Sequence, residues 1–307
     1  MKTAVITGAS GFLGSALAKQ LLQDGVRVYG VGTKIVNLSE LAGFGDFIPV
    51  IAGFDQYLSL PDMIEEREID VFYHFAWEGG FTTAIKDYKL QMRNAGYAGD
   101  AVIAANGIHA KRFVYANTYN QYEIINFLNS VTFQPRYTCI YSTAKTAASL
   151  VCRTLSYNLG IHYCAGLIPM PYGVNNYSKQ LVNVVINALN NGISPKLIEG
   201  NNYYDLVHVD DIANAFIAIG KYGNNMKEYY VGHRELKTFK EWITEIKDII
   251  APNVDLKFGE YKDKQLIDYS MIDLDALYRD TGFECKIELR DSIKEVANWV
   301  KYNLKFE

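Results

Sequence analysis

The sequence predicts an α/β fold, a parallel sheet with helices on both faces followed by a smaller α/β lobe. Three observations carry that expectation. Short apolar runs alternate with longer stretches of helical period through the first half of the chain. The runs are apolar at consecutive positions, as in strands covered on both faces. The first run ends in three regularly spaced glycines that open a helical stretch.

The elements follow in order. "TAVIT" (3–7) reads as the first strand. Residues 11–23 place Phe12, Leu13, Ala16, Leu17, Leu21 and Leu22 at helical spacing. "VRVYGV" (26–31), "FIPVIA" (47–52) and "DVFYHFA" (70–76) read as strands two to four, then a helix over roughly 83–105. "RFVYA" (112–116) reads as strand five, with a helix over 141–158 and a strand near 161–168. After Pro169 the pattern loosens, with helices expected over 179–191, 211–220, 238–250 and 289–303 and a short strand over 204–208. The expected division is a main domain of 1–170 plus about 205–226, and a lobe of about 171–204 and 227–307.

Composition excludes several classes. A chain of 307 residues, 49% hydrophobic and 21% charged, is long and apolar enough to bury a large core. A net charge of −4 argues against nucleic acid or anionic membrane as partner. Cysteines at 139, 152, 164 and 285 form no zinc-type spacing and read as buried reduced thiols. Glycines interrupt the N-terminal apolar run after five residues, too soon for a signal peptide, and no run approaches a membrane span. The expected location is the cytoplasm.

The glycine turn, "VITGASGFLGSALAKQLL", is the most informative stretch. Gly8 suits a tight turn, Gly11 a close backbone approach to a pyrophosphate, and Gly14 close packing of helix on strand. Amides around Ser10, Phe12 and Leu13 then meet phosphates at the positive end of a helix. This predicts a Rossmann-type, doubly wound domain that binds a dinucleotide. Strand two ends in Gly30-Val31-Gly32-Thr33-Lys34, without the acid that holds an NAD ribose. Thr33 and Lys34 suit a 2′-phosphate, so NADP is favoured over NAD.

Tyr141 and Lys145 stand four apart at the start of a predicted helix, on one face. A lysine ammonium and an oxidised nicotinamide favour the phenolate, so an acid–base tyrosine is expected. Thr118 falls just past strand five, at the sheet edge where such folds bind ligands, and suits orienting a substrate oxygen. No Ser-His-Asp triad or metal cluster is apparent; His208, Asp210 and Asp211 read as a helix cap.

These motifs together resemble the extended short-chain dehydrogenase/reductase family, the group of sugar-nucleotide epimerases, dehydratases and ketoreductases, over essentially the whole chain. "TGASGFLG" (7–14) matches its cofactor turn, "YHFAW" (73–77) its segment after strand four, and Tyr141 and Lys145 its Y-x-x-x-K pair. Pro171-Tyr172-Gly173 and "LVHVDDIANAF" (206–216) match later motifs. The resemblance implies catalytic roles for Thr118, Tyr141 and Lys145, and places Phe75, Ala76 and Asn94 at the cofactor. Departures narrow the choice. Tyr119-Asn120 replace the dehydratase Asp-Glu pair, Tyr204 replaces an arginine that grips the substrate diphosphate, and Met170 replaces a substrate-binding asparagine. Lys262 and Lys264 are candidates for the missing grip. Trp77 either stacks on a sugar or caps the core; Glu78 either binds hydroxyls or is exposed. The implied activity is hydride transfer at a carbon of a nucleotide-activated sugar, a ketoreductase ahead of an epimerase. A reductase of small carbonyls and a non-catalytic NADP-binding sensor remain as rivals. The resemblance also implies a homodimer formed through the helix before strand five and the Tyr/Lys helix.

Overall fold

The computed structural model describes residues 1–307 except 35, 81–82, 131–134, 261, 263–266 and 307. The strands are β1 (Thr3–Thr7), β2 (Arg27–Gly32), β3 (Phe47–Ile51), β4 (Val71–His74), β5 (Arg112–Thr118), β6 (His162–Ile168), β7 (Met170–Tyr172), β8 (Tyr203–Tyr204), β9 (Leu206–His208), β10 (Lys227–Tyr230) and β11 (Lys237–Thr238). The helices are α1 (Phe12–Gln23), α2 (Val36–Ser39), α3 (Leu60–Met63), α4 (Tyr88–Gly107), α5 (Gln121–Asn129), α6 (Thr138–Leu159), α7 (Leu181–Asn190), α8 (Val209–Tyr222), α9 (Phe239–Ile250), α10 (Ala276–Thr281) and α11 (Leu289–Asn303).

Seven strands form one sheet in the order β3-β2-β1-β4-β5-β6-β10, every pair parallel. Order reverses beside β1, so the ends of β1 and β4 open onto a crevice. The strands are buried on both faces because helices cover both. Leu17, Leu21, Ile212 and Phe216 of α1 and α8 pack on one face. Ala98, Val102, Ala148 and Cys152 of α4 and α6 pack on the other. Here Gly99 permits close approach, since a Cβ on it would lie 3.2 Å from Val151 Cγ1. A separate core under the lobe joins α7, α9 and α11 through Val185, Ile243 and Ile293. No helix among the described residues is long and apolar enough to cross a membrane.

Several boundaries differ from the sequence expectation for identifiable reasons. The helix expected from 83 starts at Tyr88, because the Asp87 carboxylate accepts from Lys89 N (3.0 Å) and Leu90 N (3.1 Å) and caps it there. The strand expected over 204–208 divides at Asp205: Tyr203–Tyr204 pairs antiparallel with β11, and Leu206–His208 pairs parallel with β7. The α8 cap is His208, whose Nδ1 accepts from Asp210 N at 3.3 Å, rather than an aspartate. Asp211 instead turns to the amides of Lys286 and Ile287. Of the elements that were not anticipated, two matter most for the site. α5 follows Thr118 almost at once, and β10 adds a seventh strand beside β6. Glu228 of β10 accepts from Ser149 Oγ of α6 (2.5 Å) and Gln121 Nε2 of α5 (2.9 Å), tying that strand to the helices beside it.

Candidate active site

The site is built at the carboxyl ends of β1, β4 and β5. Gly8 has φ +74°, and a Cβ there would lie 2.8 Å from Ala76 N, so the turn after β1 packs directly on the end of β4. A Cβ on Gly14 would lie 2.2 Å from Gly8 O, which draws α1 against the turn. Gly11 caps α1 in extended backbone with no side-chain acceptor, which leaves the first-turn amides of Phe12, Leu13 and Gly14 facing outward. This cradle fits a pyrophosphate: bare backbone amides at a helix N-terminus, with no side chain capping them. Ser10 Oγ lies close to Gly32, where a Cβ would be 3.5 Å away, and Thr33 and Lys34 follow, both exposed. Phe75 packs on Phe216 with ring centroids 4.6 Å apart. Beneath, His74 Nδ1 and Thr7 Oγ1 are hydrogen-bonded at 2.8 Å, and burial pushes the imidazole down to about 3, so it is neutral.

Thr118 and Tyr141 come together across the sheet edge. Both are buried, and the Thr118 hydroxyl hydrogen-bonds the phenol of Tyr141. Thr118 Oγ1 also accepts from Asn120 N at 3.3 Å, at the start of α5. Lys145, one turn beyond Tyr141 on α6, is 5% exposed and donates from Nζ to Ala116 O of β5 at 2.8 Å. The titration differs from the sequence expectation. Burial pushes the Tyr141 phenol up, opposed only in part by Thr118, whereas burial pulls the Lys145 amine down to about 7. Burial dominates both groups, so the phenol stays protonated and the amine gives up its proton near neutral pH.

The loop after β4 closes the other side. Trp77 lies edge-on to Tyr141, centroids 5.9 Å apart, and Lys145 Nζ stands 4.1 Å from the Trp77 ring centroid. Glu78 is exposed. Asn94 of α4 spends its amide on the Glu78 backbone, donating to its carbonyl at 2.8 Å and accepting from its N–H at 3.3 Å. Gln91, one turn earlier on α4, accepts from Trp77 Nε1 at 2.8 Å. Gln91 escaped the sequence reading because nothing in a helical glutamine announces a partner fourteen residues back.

The remaining candidates lie on the lobe side. Tyr119 is buried against Tyr269. Met170 packs on the lobe core. Tyr204 is buried against Phe239, its carbonyl accepting from Trp242 Nε1 at 2.9 Å. The next residue, Asp205, is buried and accepts from Tyr230 Oη (2.8 Å), His233 N (2.9 Å) and His233 Nδ1 (2.6 Å). Arg136 is locked bidentate on the fully buried Glu123 at 2.7 and 2.8 Å. Lys262 is exposed, and Lys264 lies outside the described residues.

Comparison with known proteins identifies the family. The model of the NAD dependent epimerase/dehydratase family matches residues 4–232. A protein of Sinorhizobium fredii described as uncharacterized protein y4nG is 29% identical over 258 residues, which cover 78% of this chain; the match spans 59% of that relative's length. CDP-abequose synthase of Yersinia pseudotuberculosis is 24% identical over 270 residues, 86% of this chain and 90% of the relative. Among solved structures, UDP-glucuronic acid 4-epimerase from Bacillus cereus superposes with a TM-score of 0.77 at 19% identity, covering 97% of this chain and 99% of the other. UDP-N-acetylglucosamine 4-epimerase from Methanobrevibacter ruminantium superposes with a TM-score of 0.77 at 20% identity, covering 97% of each chain. At these identities the structures attest the fold. The match over residues 4–232, well over half of the chain, makes this chain a member of the NAD dependent epimerase/dehydratase family.

Proposed function

We propose that the protein reduces a carbonyl carbon on a nucleotide-activated sugar, with NADPH as the preferred cofactor. The observation that carries this is the Thr118–Tyr141–Lys145 cluster: a buried phenol hydrogen-bonded to a threonine hydroxyl, with a buried amine one helical turn away. When bound, the nicotinamide supplies the hydride. Thr118 hydrogen-bonds the substrate oxygen and aims it at Tyr141. Burial keeps the Tyr141 phenol protonated, the form that can give a proton to the oxygen as the carbonyl is reduced. Lys145 holds the cofactor ribose and, once charged, stabilises the phenolate left behind.

The glycine cradle and the ends of β2 and β4 hold the dinucleotide. Thr33 and Lys34, exposed where an acid would repel a 2′-phosphate, support NADPH over NADH. The relative named CDP-abequose synthase, matched over 90% of its length, supports a nucleotide-sugar substrate. A second reading, epimerisation with the cofactor retained, is supported by the fold shared with two nucleotide-sugar 4-epimerases. Cofactor stoichiometry separates the two: a reductase consumes one NADPH per product, an epimerase none. Tighter binding of NADH than NADPH would sink the cofactor preference. We further propose a homodimer through α4 and α6, whose outer faces carry exposed Met92, Ile103, Leu150, Val151 and Tyr157.

A further inference from the structure

Lys145 is a buried amine without a carboxylate partner among the described residues. Its Nζ donates to Ala116 O at 2.8 Å and stands 4.1 Å from the Trp77 ring centroid and 4.8 Å from that of Tyr115. A ring face attracts a cation most strongly when water is excluded, and indole does so best. Tyr115 belongs to β5 and cannot move. Trp77 belongs to a loop, so something must hold it.

That holder is Gln91. It is fully buried on α4, and its Nε2 donates to Gly79 O (3.2 Å) and Ala84 O (3.1 Å). Both amide hydrogens are thus committed to carbonyls, and Oε1 is left to accept from the Trp77 indole N–H at 2.8 Å. Gly79 completes the fit: it has φ +69°, and a Cβ there would lie 2.8 Å from Ala84 Cβ and 2.9 Å from Leu90 Cδ2. These contacts fix the backbone beside Trp77 and set its indole face toward the Lys145 amine.

We propose that Trp77, held by Gln91, is a positioning residue that acts through Lys145, its ring face serving as the counter-ion that keeps the ammonium in place for the cofactor. The inference rests on the reading that Lys145 holds the cofactor ribose, and it removes the choice between a sugar-stacking and a core-capping Trp77. The test is a double-mutant cycle on the full chain, reading the NADPH dissociation constant at pH 7. Trp77→Leu weakens NADPH about thirtyfold, the size of one desolvated cation–ring contact. Trp77→Phe, which keeps a ring, restores binding to within about threefold of wild type. Trp77→Leu added to Lys145→Met causes no further loss. Unchanged binding in Trp77→Leu, or an equal loss in the Lys145→Met background, overturns the inference. Gln91→Leu, run through the same cycle, decides the matter if Trp77→Leu fails to fold. Lys145→Met binding NADPH like wild type would overturn the underlying reading and the inference with it. Loss of the Trp77 coupling alone would leave the catalytic reading intact, since that is tested by turnover in Tyr141→Phe.

Discussion

Burial drives the titrations of Tyr141 and Lys145 apart: it raises the phenol and lowers the amine to about 7 from 10.5. Above pH 7 the ligand-free protein therefore carries mostly neutral Lys145, and a ribose that requires the ammonium must bind together with a proton. NADPH affinity should fall as pH rises from 7 to 9, by up to about tenfold per unit, with a flat profile in Lys145→Met. Fluorescence titration across that range checks this. The same shift bears on stability in the opposite sense. Between about 7 and 10.5 the unfolded chain binds the proton that folded Lys145 lacks, so this group's contribution to stability rises with pH. Tyr141→Phe should abolish turnover while NADPH binding stays within about twofold, measured by steady-state assay and titration. The Y-x-x-x-K spacing was legible because helical geometry alone puts both side chains on one face. The Trp77 and Gln91 contacts were not, because they join a loop to a helix through side-chain packing that has no sequence period.

α1 and the turn before it show what an element inherits from a few atoms. Gly14→Ala places a methyl 2.2 Å from Gly8 O, so the turn must open. NADPH binding should weaken at least tenfold and stability should fall by about 1–3 kcal/mol, read by titration and chemical denaturation. Arg136→Ala would strand the Glu123 carboxylate, whose side chain is fully buried at the start of α5. A loss of about 3–5 kcal/mol is expected from urea unfolding, since the partner charge is left uncompensated. The central strands were readable because each is a continuous apolar run. β10 was not: "KEYY" opens with two charged residues, the composition of an edge strand, and its partner β6 lies some sixty residues earlier. α5 was hidden for another reason, since it begins within three residues of Thr118 and its stretch also reads as loop.

At the scale of the whole molecule, one sheet and one lobe share a single chain that passes between them more than once. β7 and β9 pair with each other, and Asp205 beside them gathers Tyr230 at the end of β10 and His233 just after it. The proposed dimer places the outer faces of α4 and α6 against their mates. Leu150→Glu with Val151→Glu should elute as a monomer where wild type elutes as a dimer, by light scattering coupled to size exclusion. The late arrival of β10 has a practical consequence for dissecting the protein. A fragment stopped at residue 226 would keep the glycine turn, Thr118 and the Tyr/Lys helix, yet it would bare the hydrogen-bonding edge of β6 and leave Ser149 and Gln121 without Glu228. Such an edge recruits other chains. That fragment should precipitate on expression, and limited proteolysis of the intact chain should not release it as a stable piece.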